Sequence, residues 1–253
     1  MVNLSEKVLI ITGGASGFGK ALAHHVVEKG AKVVLADINK ELGLQVEAEL
    51  NTSKPNYAKF VCTDVSKRQD LENLLKVAET EFGGFDAIFN NAGIAQREFF
   101  DQTESWKRTI DININAVIEG TQLSIPFLKK RGGGAVINTA SVAGLYPLIV
   151  PRVPVYTAAK AAVVAFSQAL EHLKDEENIR VNAVCPFFAE TPMVTTAYQE
   201  SKDFEAYVKK IGTVSIQDVV NGLLHAFEND ALYGDVIEIL PKNKLYVRPK
   251  VSY

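Results

Sequence analysis

Tyr156 and Lys160 stand four residues apart in the stretch YTAAK (156–160), with Ser141 upstream. Four residues make about one helical turn, so on a helix the phenol and the ammonium share a face. A fixed positive charge beside a phenol favours phenolate and draws tyrosine down from its reference pKa of about 10. That chemistry makes Tyr156 a candidate general base for an alcohol proton. Ser141 becomes a second hydrogen-bonding partner for the same oxygen if the fold brings the two together. The same spacing also fits two partly exposed helix residues with no chemical task.

Near the N-terminus, TGGASGFG (12–19) places Gly13, Ser16, Gly17 and Gly19 between an apolar strand-like run and a helix starting near Phe18. Backbone without side chains can approach a pyrophosphate at a helix N-terminus, where N–H groups and the helix dipole favour negative charge. Asp37 closes the next apolar run, where a carboxylate would accept from the adenosine ribose 2′-hydroxyl and repel a 2′-phosphate. Neither Ser16 nor Ile38 supplies the cation that a phosphorylated ribose would want, so the expected cofactor is NAD rather than NADP. A plain tight turn for the glycines, and a helix N-cap before NKELG for Asp37, are the alternative readings.

Elements to position these groups are legible as apolar, β-branched runs at 8–12, 32–37, 59–64, 87–90, 135–140, 180–185 and 235–240, alternating with helical patterns. This order predicts a single-domain α/β fold, a doubly wound Rossmann-type seven-stranded parallel sheet with strands buried on both faces. The chain has 253 residues, 47% of them hydrophobic, enough for one large core. Its net charge of −3, with basic residues dispersed, gives no footprint for nucleic acid or an anionic membrane. No apolar run approaches the ~18 residues of a membrane span, and the N-terminal stretch does not read as an export signal, so a cytoplasmic protein is expected. Cys62 and Cys185 lie in strand-like runs and are expected to be buried thiols. The four histidines lack ligand spacing, and no metal is assigned.

Taken together, TGGASGFG, Asp37, Asp64 with Val65, NNAG (90–93), Asn113, Ser141 and YTAAK resemble the short-chain dehydrogenases/reductases, from about residue 7 to 240. The resemblance implies a tetrad of Asn113, Ser141, Tyr156 and Lys160, with Asn113 helping to hold a proton-relaying water. It places Asp64 and Val65 near the adenine, Asn91, Ala92 and Gly93 along the adenosine side, and Pro186 and Thr191 near the nicotinamide. Lys160 would also bind the nicotinamide ribose. Within the family the chain is most similar to NAD-linked 15-hydroxyprostaglandin dehydrogenases, which implies an apolar secondary alcohol as substrate and a homodimer or homotetramer. Three departures stand out. The span between Ser141 and Tyr156 is two residues longer than usual, and Val153 stands where those enzymes carry a glutamine. After Pro186 the family has glycine where this chain has Phe187, a costly exchange if the position needs a positive φ.

The segment 187–215 carries Phe187, Phe188, Met193, Val194, Tyr198, Phe204 and Tyr207, a composition that fits either a lid over an apolar ligand or an amphipathic helix packed on the core. Gln96, Leu145, Tyr146, Val150 and Val153 are further wall candidates, and Arg152 fits either a substrate carboxylate or a solvated loop. The expected activity is NAD-dependent interconversion of a bulky, mostly apolar secondary alcohol and its ketone. A biosynthetic reductase or rearrangement catalyst with a reshaped site, and an NAD-binding regulatory protein with little turnover, are the alternatives.

Overall fold

The computed structural model describes residues 3–96, 104–150, 152–242 and 244–250. Eight strands form one sheet: β1 (Val8–Thr12), β2 (Lys32–Asp37), β3 (Ala58–Cys62), β4 (Ala87–Asn90), β5 (Gly134–Thr139), β6 (Ile179–Pro186), β7 (Val236–Leu240) and β8 (Lys244–Val247). Their order is β3-β2-β1-β4-β5-β6-β7-β8. Every pairing is parallel except that of β7 with β8. The chain winds outward from β1 in one direction and from β4 in the other, and between them opens the crevice where such sheets bind ligands.

The helices are α1 (Gly17–Glu28), α2 (Lys40–Ser53), α3 (Arg68–Phe82), α4 (Ser105–Ile110), α5 (Ala116–Lys130), α6 (Pro154–Ala169), α7 (Leu173–Glu177), α8 (Pro192–Glu200), α9 (Lys202–Ile211) and α10 (Ile216–Glu228). Leu22 and Val26 of α1, Leu50 of α2 and Leu223 of α10 pack with Leu9, Ile11, Leu35 and Ile137 on one face of the sheet. Leu71, Leu74 and Leu75 of α3 and Leu128 of α5 pack with Ile10, Val34 and Val136 on the other, and Val163 of α6 extends that layer. Alternate residues of one strand therefore serve two cores, which is why the central strands read as unbroken apolar runs. Burying each such side chain contributes about 1.5–3 kcal/mol before chain entropy is counted.

The seven expected strands are present at their expected places, and β8 is an addition. It folds back antiparallel on β7 through a turn in which Lys242 takes φ +67°, pairing Leu240 with Lys244 and Ile237 with Val247. Three of its four residues are exposed. Four residues long, mostly exposed and lying at an edge, it lacks the long buried apolar run that marks the others. The cysteine expectation is half corrected: Cys185 is fully buried in β6, whereas Cys62, at the end of edge strand β3, is exposed.

Candidate active site

Ser141 follows the C-terminal end of β5, and its Oγ accepts the Ala143 N–H at 3.1 Å. Tyr156 lies in the first turn of α6, and Lys160 follows one turn later. The fold brings the Ser141 hydroxyl into hydrogen-bonding relation with the Tyr156 phenol. Lys160 is 3% exposed, and its Nζ donates to the Thr139 carbonyl at 2.7 Å. Asn113 sits in a five-residue π turn (Asp111–Asn115) between α4 and α5, a helical irregularity that often marks functional positions. Its Nδ2 donates to the Ile94 carbonyl at 2.9 Å and its Oδ1 accepts the Ile94 N–H at 3.1 Å. Gly93 completes the group: a Cβ there would lie 2.9 Å from Asn113 Oδ1 and 3.6 Å from Lys160 Nζ.

The electrostatics differ from the sequence expectation. Lys160 Nζ lies 5.9 Å from the Tyr156 ring centroid, committed to Thr139, and it does not draw the phenol down. Burial instead raises Tyr156 above its ordinary value, with the Ser141 hydrogen bond opposing it. Burial lowers Lys160 to about 8, so its ammonium is still charged at neutral pH. The nearby Cys185 thiol, pushed up to about 12 chiefly by burial, stays protonated and is no nucleophile.

Around the glycine turn, Gly13 takes φ +66°, and a Cβ on Gly19 would overlap the Gly13 carbonyl oxygen. Ser16 precedes α1 in extended backbone without capping it through its side chain. Thr12 stitches β1 to the loop after β4: its Oγ1 accepts the Asn91 and Ala92 N–H groups at 2.9 and 3.0 Å, while Asn91 Nδ2 donates to the Thr12 carbonyl at 3.0 Å. Asp37 accepts the Ala15 N–H and the Asn39 N–H, both at 3.0 Å. The N-cap of α2 is Asn39, which accepts the Leu42 N–H at 3.1 Å, so the capping alternative for Asp37 falls to its neighbour. Ile38 beside it is 57% exposed. The Asp64 carboxylate accepts from the Ser66 hydroxyl at 2.6 Å, which holds it below the usual carboxylate range, and Val65 follows. Pro186 ends β6, and Thr191 N-caps α8 with its methyl 3.6 Å from where a Gly17 Cβ would lie.

On the remaining side, Phe187 takes a negative φ and its N–H donates to the Ile239 carbonyl at 2.9 Å, so phenylalanine is unstrained here. Its ring meets Phe188 edge-on at 5.4 Å, Phe188 meets Phe204 at 5.8 Å, and Phe204 meets Tyr198 at 6.1 Å. This aromatic chain fastens α8 and α9 to the end of β6. Met193 on α8 is 36% exposed. Tyr207 of α9 donates to the Ile149 carbonyl at 2.8 Å, joining α9 to the loop after Ser141. Tyr146 donates to buried Glu238 at 3.0 Å, and Arg248 pairs with the same carboxylate at 3.1 Å. Gln96 binds the backbone N–H groups of Val155 and Tyr156 at 2.8 and 3.0 Å, while Val153 precedes α6. Sequence reasoning passed over Thr12, Thr139, Glu238 and Arg248. For the two threonines a signal existed, a polar residue ending an apolar run. For the other two it did not, because their partners are distant in sequence. Among the described residues no group of three or more His, Cys, Asp or Glu side chains is arranged to hold a metal, and no helix is long and apolar enough to cross a membrane.

These features define a doubly wound, Rossmann-like α/β protein whose polar side chains converge at the C-terminal edge of its sheet. The family profile described as short chain dehydrogenase matches residues 7–202, and the chain belongs to that family. It is similar to the NAD(+)-linked 15-hydroxyprostaglandin dehydrogenase of Homo sapiens, 34% identical over 94% of this chain and 92% of the relative. The Mus musculus enzyme of the same description is 33% identical, over 94% and 91%. Among solved structures, 3-ketoacyl-(acyl-carrier-protein) reductase from Brucella melitensis complexed with NADH superposes with a TM-score of 0.83 at 28% identity, covering 93% of this chain and 97% of that one.

Proposed function

We propose that this protein is an NAD-dependent oxidoreductase that interconverts a bulky, mostly apolar secondary alcohol and its ketone, with Tyr156 as general base and acid. The observation that carries this reading is the meeting of the Ser141 hydroxyl and the Tyr156 phenol, with buried Lys160 one turn further along α6. The relatives' NAD(+) linkage and the NADH in the superposed reductase support the same cofactor.

The residues present fit a dinucleotide. The cradle at Gly13, Gly17 and Gly19 is space that a Cβ would fill or strain, and the first turn of α1 after Ser16 and Phe18 points N–H groups at it. A carboxylate offers about four acceptor positions, and Asp37 uses two on backbone N–H groups, leaving others for ribose hydroxyls, with Ile38 flanking. Asp64 and Val65 border the adenine, Asn91, Ala92 and Gly93 the adenosine side, and Pro186 and Thr191 the nicotinamide. Held by these residues, NAD would supply the hydride acceptor for oxidation and, reduced, the hydride donor for the reverse reaction.

In the oxidation, Ser141 and Tyr156 grip the carbinol oxygen and Tyr156 takes its proton. Lys160, still cationic at neutral pH and held by the Thr139 carbonyl, would bind the nicotinamide ribose. Asn113, held by Ile94, keeps the proton path to Lys160 in place. The aromatic chain of Phe187, Phe188, Phe204 and Tyr198, with Met193 beside it, makes the 187–215 segment a cover that excludes water from the reacting atoms. Gln96, Tyr146 and Val153 border the substrate side. The chain acts as one catalytic domain in a cytoplasmic homodimer or homotetramer.

Titrating NAD, NADH, NADP and NADPH while following thermal unfolding tests the cofactor assignment, because a ligand that binds only the folded state must stabilise it. NAD or NADH is expected to raise Tm selectively; no response to any of the four would overturn the reading. Asp37→Ala is expected to erode the preference for NAD over NADP by at least tenfold. It also strands the Ala15 N–H, lowering stability by about 1–2 kcal/mol. Cofactor Kd values and a denaturation curve measure both effects.

A further inference from the structure

α6 begins without a side-chain cap of its own. Val153 precedes it with no polar side-chain atom to offer, and its first residue, Pro154, has no N–H. The next two N–H groups, those of Val155 and Tyr156, are both accepted by Gln96 Oε1 at 2.8 and 3.0 Å, across some sixty residues of sequence. Since both partners are donors, only the amide oxygen can face them, and chemistry fixes the orientation of the amide.

Gln96 is 7% exposed, and the other end of its planar amide, Nε2, is buried with no acceptor among the described residues. Buried donors are rarely left unmade, because the group forfeits its water without recompense. The surroundings place the loop that carries Gln96 beside Asn113, Lys160 and the backbone of Tyr156. Ile94, two residues earlier, is held at both backbone atoms by Asn113, and Gly93 lies against Asn113 and Lys160. The loop 93–96 thus runs from the Lys160 ammonium to the backbone of Tyr156.

We propose that Gln96 is a positioning and specificity-determining residue: its amide oxygen fixes the backbone of Tyr156, and its amide nitrogen donates to a second acceptor oxygen of the substrate, remote from the reacting carbinol. This rests on the oxidoreductase reading above. The reacting oxygen already has Ser141 and Tyr156, so the remaining donor calls for another oxygen. An alcohol with an otherwise hydrocarbon body leaves the N–H unpaired, whereas one bearing a carbonyl, ether or hydroxyl oxygen within reach satisfies it. Sites with a buried group that must be paired discriminate strongly against ligands that cannot pair it. The substrate class is therefore narrowed to secondary alcohols carrying at least one further oxygen within an apolar chain.

The test compares decan-2-ol with the isomeric 2-hydroxydecanones whose keto group lies on C4 to C7, using NAD and the full-length protein. In the wild type at least one hydroxyketone is expected to show a KM roughly tenfold below that of decan-2-ol, the worth of one such hydrogen bond. Gln96→Ala removes both ends of the amide, so kcat falls for every probe and the hydroxyketone advantage disappears. Gln96→Glu keeps acceptor oxygens for the helix N-terminus but has no N–H. On its alkaline plateau it is expected to recover most of the kcat lost in the alanine variant while still lacking the KM advantage. Persistence of that advantage in Gln96→Glu overturns the donor role, and unchanged kcat in Gln96→Ala overturns the positioning role. Thermal stabilisation of the NADH complex by decan-2-one and by the matching diones repeats the comparison as binding. An enzyme without turnover would then count against the oxidoreductase reading, while the binding comparison still decides for or against the amide.

Discussion

Replacing Tyr156 by phenylalanine is expected to lower kcat by about 10² to 10⁴, the usual contribution of a positioned acid–base group, while NADH binding is retained. The substitution removes the phenol oxygen and little else, since the aromatic ring keeps its place on α6 and the Gln96 bonds to its backbone do not involve the side chain. The pH dependence follows from the same group. Burial raises the phenol above its ordinary value, so in the unliganded protein it is protonated at neutral pH. Alcohol oxidation needs the deprotonated form, and its kcat/KM is expected to climb as pH rises above neutral. Ketone reduction needs the proton and is favoured at the lower end. Steady-state rates in both directions across pH 6 to 10 measure this; a Phe variant retaining most of its turnover would assign the proton transfer elsewhere.

Lys160→Met is expected to abolish most activity, at least a hundredfold, and yet to raise Tm at pH 7. The side chain is 3% exposed and its ammonium is satisfied by the Thr139 carbonyl at 2.7 Å. Burial nevertheless holds it at about 8 instead of the ordinary 10.5. Between these values the unfolded chain binds more protons than the folded one, so stability rises with pH through that window, and below it the desolvation cost stands in full. That cost is about 3 kcal/mol, offset in the variant by about 1–3 kcal/mol for the orphaned carbonyl. The net is a gain of up to about 2 kcal/mol, a few degrees for a domain of this size. The advantage should shrink by pH 10, where the wild-type amine is neutral in the fold. Melting curves at both pH values, with kinetics, separate the two effects. A variant less stable than wild type at pH 7 would show that the buried ammonium carries no such cost.

What could be read from the chain was whatever local pattern encodes. The seven parallel strands are apolar because both their faces are covered, and Gly13 and Gly19 reveal themselves because their neighbours allow no side chain. Ser141, Tyr156 and Lys160 were legible as a set because the fold that unites them was itself legible. Tertiary relations were hidden. Nothing in NAGIAQ announces that Gln96 caps a helix sixty residues on, and the partner that takes up the Lys160 ammonium is a backbone carbonyl, which has no letter. The exposure of Cys62 followed from β3 lying at an edge, a fact of strand order rather than of composition.

The loop between Ser141 and Tyr156 owes its order to distant parts of the chain. Tyr146 is tied to Glu238, 92 positions away, with Arg248 bracing the same carboxylate, and Ile149 is tied to Tyr207, 58 positions away. A loop supported in this way cannot be transplanted by itself. Grafting it into a relative would move the candidate wall residues and leave their scaffolding behind, and a change at Glu238 in β7 would be felt in the loop through Tyr146. The order of this loop is thus divided among three separated segments, and a change in one is felt in the others.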